Sequence, residues 1–97
     1  KMKIFSMFDV IATRDDVRRG KPSPDIYVFA AKRLGVKPED CIVFEDTQYG
    51  VEAAKGAGMK CIAVPTEFSA AQDFSKADAA FPNLEEAVKH ASSAFSI

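Results

Sequence analysis

Short apolar runs alternate with amphipathic stretches along this chain, and the alternation predicts strand and helix in turn. Cys41–Phe44 is apolar, too short for a helix and rich in β-branched residues, which predicts a strand buried on both faces of a parallel sheet. Val51, Ala54 and Gly58 share one helical face whose small side chains let it lie close on a sheet. Thr47 is placed to cap that helix, Gly58 to end it, and Cys61–Val64 returns as the next strand. A strand–helix–strand unit of this length is a crossover between parallel strands.

The rest of the chain extends the same pattern in both directions. Lys1–Met7 is weakly patterned and reads as the tail of an earlier element, whereas Phe8–Thr13 predicts a strand. Arg14–Ser23 is a charged loop broken by Gly20 and Pro22. A helix then starts with Ser23 as N-cap and Pro24 in the first turn, carries Ile26, Phe29, Ala30 and Leu34 as its stripe, and stops at Gly35. Val36–Asp40 is a turn built on Pro38. Beyond Pro65 the pattern predicts a short helix at Phe68–Ser75 and an edge strand at Asp78–Phe81. A final amphipathic helix carries Leu84, Ala87, Val88, Ala91 and Phe95, with Asn83 and Glu86 spaced as a capping box. Strands and helices alternate throughout, so the fold class is α/β in layers.

Composition narrows the function classes. Ninety-seven residues form one small domain; 47% are apolar and 28% charged, ordinary for a globular chain. The formal charge of −1, from 13 basic and 14 acidic residues, gives no electrostatic reason to expect nucleic acid or a membrane surface as partner. No apolar run approaches the roughly 20 residues needed to span a bilayer, and Lys1–Val10 lacks the features of a signal peptide. Cys41 and Cys61 each open a predicted buried strand and read as reduced core thiols, consistent with a cytoplasmic location. His90, the single histidine, falls on the polar side of the last helix and is given no chemical role.

Two places carry candidate chemistry. Glu45 and Asp46 follow a strand directly, where ligands gather in open α/β sheets, at its carboxyl end. Hard cations such as Mg2+ want carboxylate oxygens together with water and substrate phosphate, which such a pair can supply. The same residues could instead be a helix N-cap (Asp46) beside a solvated Glu45. Lys21, between Gly20 and Pro22, can point an ammonium at the same edge to neutralise a phosphate, or can be one more solvated cation beside Arg18 and Arg19.

The longer context favours the chemical readings. Gly20-Lys21-Pro22-Ser23-Pro24-Asp25 resembles the third motif of the haloacid-dehalogenase superfamily. Phe44-Glu45-Asp46-Thr47, with Gly50, Ala53-Ala54 and Ala57-Gly58-Met59 after it, resembles that superfamily's fourth motif. The nearest branch is the β-phosphoglucomutase-like phosphatases. The resemblance implies a partial Rossmann-like three-layer sandwich, with Asp46 a direct Mg2+ ligand and Glu45 a ligand through water or an orienting residue. Lys21 would steady the phosphoryl group and the attacking aspartate. It implies a parent phosphatase or phosphomutase that acts on a small phosphorylated metabolite through an aspartyl-phosphate.

The departures are equally specific. The family's nucleophile lies in a D-x-D motif, and here the aspartates are 9, 15, 16, 25, 40, 46, 73 and 78, no two of them two apart. The second-motif serine or threonine and the cap domain are also missing. Residues 1–97 are therefore expected to be the C-terminal part of a core domain, inactive alone, in a mostly parallel sheet that lacks the nucleophile and motif-two strands. That loss should leave Cys41–Phe44 with a bare edge, which invites self-association unless the remaining pieces close up. A non-catalytic interaction or regulatory module is the alternative. A dinucleotide fold fails, because Gly56-x-Gly58 precedes its strand instead of following one.

Overall fold

The computed structural model describes residues 3–6 and 20–94. Among the described residues four strands, β1 (Lys3–Ser6), β2 (Cys41–Glu45), β3 (Lys60–Ala63) and β4 (Ala79–Ala80), form one sheet in that order, every neighbour parallel. The described residues also form the α-helices α1 (Asp25–Leu34), α2 (Gln48–Gly56) and α3 (Leu84–Ala94). Pro38–Asp40 form a short 3-10 turn before β2.

Side-chain alternation along the central strands divides the core into two. Cys41, Val43, Cys61 and Ala63 pack with Tyr27 and Ala31 of α1 and with Val51, Ala53 and Ala54 of α2. Ile42, Phe44 and Ile62 point the other way, against Ala87 and Ala91 of α3. Helices thus lie on both faces, in the partial Rossmann-like three-layer arrangement expected from the sequence. Such central strands must be apolar on both sides, and β2 is buried along its whole length. Full burial of Ile42 and Ile62 contributes about 1.5–3 kcal/mol each.

The helix ends are set locally. Thr47 Oγ1 accepts from the Gly50 N–H at 3.0 Å, capping α2 as expected. At the other end Gly58, at φ +86°, donates to the Lys55 carbonyl while Met59 donates to that of Ala54, the paired bonds of a Schellman stop. Gly35, at φ +68°, ends α1 in the same way, with Gly35 bonded to Lys32 and Val36 to Ala31. Glu86 N–H donates to Asn83 Oδ1 at 2.9 Å, which starts α3 where the capping signal lies.

Five expectations need correction. Lys3–Ser6, within the weakly patterned Lys1–Met7 stretch read as the tail of an earlier element, is a strand, and it pairs with β2 in register Lys3–Cys41 to Ser6–Phe44. The edge expected to be bare is therefore covered, and β1 is the outer strand among the described residues; the predicted strand Phe8–Thr13 lies outside them. Helix α1 begins one residue later than expected, with Pro24 at its N-cap, and Ser23 Oγ accepting only a 3.4 Å contact from Asp25. Its buried residues are Tyr27, Ala30 and Ala31, while Leu34 is 49% exposed, so the helix is rolled away from the predicted stripe. Phe68–Ser75 is a run of turns: Thr66 and Ser69 side chains bond to local backbone N–H groups, competing with the helical ladder, and Phe68 is 90% exposed.

Candidate active site at the carboxyl end of β2

A parallel sheet brings all its strand ends to one edge, and β2 ends at this edge with Glu45. Alternation along β2 puts the Glu45 side chain on the α1–α2 face, where it is only 2% exposed. Two donors reach it. Lys21, from the Gly20–Ser23 turn ahead of α1, places Nζ 2.6 Å from Glu45 Oε2, and the Tyr27 hydroxyl donates to the same oxygen. Lys21 Nζ also lies 5.3 Å from the centre of the Tyr27 ring. The turn itself is closed by a 3.0 Å bond from the Ser23 N–H to the Gly20 carbonyl.

The carboxylate fits because residue 50 has no side chain. The nearest atoms to a Cβ built on Gly50 would all belong to the Glu45 carboxyl group, Oε2 at 2.8 Å and the others closer. Burial, and then the charge and hydrogen bond of Glu45, push the Tyr27 phenol far above its ordinary range, so it stays a donor. Burial likewise pushes the Cys61 thiol up to about 12, with Glu45 and Asp78 adding to the shift.

Asp46 follows directly, half-buried, and Thr47 then starts α2. Of the two readings open for the acidic pair, the N-cap function belongs to Thr47 and not to Asp46, and Glu45 is not solvated. Lys21 is paired with a buried carboxylate and is no ordinary loop cation. The structure therefore brings Lys21 and Glu45 into contact, with Asp46 the next residue along. Sequence reasoning missed Tyr27 and the space at Gly50; a polar-tipped aromatic one helical position off the predicted stripe was the available signal for the first. An open cleft of about 370 Å³ lies alongside, lined by Thr47, Gln48, Tyr49 and Gln72. Gln48 and Gln72 tie the start of α2 to the 66–75 loop, through Gln48 N–H to Gln72 Oε1 at 2.8 Å and Asp73 N–H to Gln48 Oε1 at 3.2 Å.

Among the described residues no group of three or more His, Cys, Asp or Glu side chains could hold a metal. What is present is a partial donor set of the hard-oxygen kind. Glu45 Oε1 is buried without a hydrogen-bond partner, and Asp46 stands beside it in sequence at the open end of the sheet. That chemistry fits a Mg2+ ion that takes its remaining oxygens from water, phosphate or other parts of a protein.

The fold is an open parallel α/β sheet with a lysine–carboxylate pair and a further aspartate at its carboxyl edge, the edge where ligands gather in this class of fold. Comparison with known proteins is more specific: residues 1–64 match the family of haloacid dehalogenase-like hydrolases, and the chain belongs to that family. YhcW of Bacillus subtilis, named as a candidate phosphatase, is 45% identical over 83 residues, which are 86% of this chain and 38% of that protein. CbbY from Rhodobacter sphaeroides has been solved with phosphate and, as a mutant, with xylulose-(1,5)bisphosphate. It is 43% identical, with a TM-score of 0.67 over 69% of this chain and 30% of its own. A Thermotoga maritima structure named as a candidate β-phosphoglucomutase is 40% identical, with a TM-score of 0.58 over 69% of this chain and 32% of its own. The structural neighbours thus include a β-phosphoglucomutase-like protein, the branch that the motifs resemble. The chain spans less than two fifths of the length of each of these relatives.

Proposed function

We propose that these residues are the third- and fourth-motif portion of a Mg2+-dependent phosphatase or phosphomutase core that acts on small phosphorylated metabolites. The observation that carries the reading is the Lys21 ammonium held 2.6 Å from buried Glu45 at the strand end where Asp46 follows. A phosphoryl dianion at this edge meets the Lys21 cation, whose position is fixed by a carboxylate behind it. Asp46, with Glu45 directly or through water, would hold Mg2+, which supplies neutralisation of the phosphoryl oxygens when bound. The attacking carboxylate forms a bond to phosphorus as the ester oxygen departs with its electron pair, and water or an acceptor hydroxyl later releases the phosphoryl group. No D-x-D aspartate lies in these 97 residues, so another stretch of chain must supply it. Phosphate and a sugar bisphosphate bound by CbbY support this substrate class.

The test is turnover of p-nitrophenyl phosphate. The 97-residue chain alone should be inactive, and a polypeptide carrying a D-x-D segment ahead of Lys1 should turn over only with Mg2+. In the longer polypeptide, Lys21→Ala and Asp46→Asn should each lower kcat/KM by roughly 10²–10³. Turnover in a chelator, or full activity without the lysine, overturns the reading. Absence of a D-x-D favours one other reading, a non-catalytic interaction or regulatory module; an extended polypeptide that binds phosphate but never turns over would support it.

A further inference from the structure

We propose that Tyr27 is a positioning residue that sets where the Lys21 ammonium stands. The proposal rests on the reading of Lys21 as the cation that faces the phosphoryl group, and deepens it. Three observations converge on it. Tyr27 is fully buried, and its hydroxyl, which must find a partner there, donates to Glu45 Oε2. Lys21 Nζ donates to that same oxygen, so one carboxylate oxygen serves both donors, while Oε1 receives neither. The ammonium also lies 5.3 Å from the centre of the Tyr27 ring, so phenol, carboxylate and ammonium form a closed triangle.

A carboxylate at a strand end can rotate about its last two torsions, and a lysine held only by a rotating group is not aimed at anything. The phenol removes that freedom. It holds Oε2 from the α1 side, and the bare Cα of Gly50 accepts the rest of the carboxyl group from the α2 side. The turn carrying Lys21 leads directly into α1, which also carries Tyr27, so the cation and its positioning group approach β2 from one continuous segment.

The experiment uses the 97-residue chain and reads no activity, so it stands or falls separately from the phosphatase reading. Surface lysines are acetylated with a limiting reagent, and the rate at each is followed by mass spectrometry. Tyr27→Phe, which keeps the ring and removes only the hydroxyl, should raise the Lys21 rate roughly threefold or more relative to Lys55 and Lys76 in the same molecules. Glu45→Gln should raise it roughly tenfold, and the double variant should go no higher than Glu45→Gln. A merely structural role for Tyr27 would loosen the domain and raise all three lysines together. That result overturns the proposal, as does a Lys21 rate unchanged by Tyr27→Phe, or unchanged by Glu45→Gln. Should Tyr27→Phe fail to fold, the unaltered chain decides: a hydroxyl bonded to a buried carboxylate gives a slowly exchanging, downfield proton resonance coupled to the Tyr27 ring, and its absence overturns the proposal.

Discussion

Gly50→Ala reverses an ordinary rule of helix stability. Gly50 lies in the first turn of α2, where alanine normally gains about 1 kcal/mol over glycine. Here the new methyl would enter the space taken by the Glu45 carboxyl group, whose Oε2 would be 2.8 Å away and whose other atoms would be nearer. Glu45 has no free direction of retreat: it is 2% exposed and bonded to Lys21 and Tyr27. Overpacking of this kind costs about 1–3 kcal/mol, and loosening a hydrogen bond to a buried charge adds about 1.5–3 kcal/mol. After subtraction of the helix gain, Gly50→Ala should destabilise by about 1.5–5 kcal/mol. For a domain of this size Tm should fall by about 6 °C or more. Urea unfolding followed by far-UV circular dichroism measures it, with a lower midpoint and an unchanged m-value. The control is the same substitution in a Glu45→Ala background. With the carboxylate gone, Gly50→Ala should become neutral or stabilise by about 0.5–1 kcal/mol. A neutral or stabilising effect in the parent chain, or strictly additive effects in the pair, would refute the argument that Glu45 occupies this space.

Two further outcomes follow from buried or bridging groups. Asp78 accepts from the Cys61 N–H at 2.8 Å and from Lys55 Nζ at 3.0 Å; burial alone would raise its pKa, but these donors outweigh it and hold the carboxyl below its usual range. Its contribution is therefore present above the unfolded value near ~3.9 and lost as pH falls through the folded one. Asp78→Asn should cost about 1 kcal/mol at pH 7 and flatten the loss of stability on acidification, as read from urea midpoints across that range; an unchanged acid slope would contradict this. Cys61, with its thiol pushed up to about 12 and no exposure, should react with a disulfide reagent at pH 8 roughly 10³-fold more slowly in the folded chain than in urea. Prompt reaction of the native protein would count against the packing described.

The sequence showed the layers because each layer follows from a local rule. The run Cys41–Phe44 is apolar on consecutive residues, and only a strand covered on both faces can use that pattern. Thr47, Gly35, Gly58 and Asn83 act on backbone groups a few residues away, so their effects are readable without tertiary knowledge. What failed was set at longer range. The roll of α1 depends on Tyr27 reaching Glu45, 18 residues on, and a hydrophobic stripe counted within the helix carries no information about that partner. Lys3–Ser6 gains its strand from β2, 38 positions along, and four residues of weak alternation do not announce it. At the site, the acidic pair and Lys21 were visible as residue types beside a strand end, whereas the division between a buried Glu45 and a half-buried Asp46 follows from the parity of the strand.

That division bears on why the ion pair exists. Removal of two charges from water costs several kcal/mol per ion, and a well-packed apolar pair of similar volume is often as stable or more so. Position 45 ends an otherwise apolar strand, with Val43 on the same face and Ala63 opposite it on β3. Stability alone therefore gives little reason for a glutamate here, still less for a tyrosine hydroxyl and a glycine shaped around it. On the proposed function, placement does: a 1 Å error in a charge that faces a phosphoryl group would weaken its hold on the transition state, and a carboxylate gripped by packed elements would prevent that error. On the function proposed above, the buried pair acts as a mount for the lysine, built from β2, α1 and the bare Cα of Gly50.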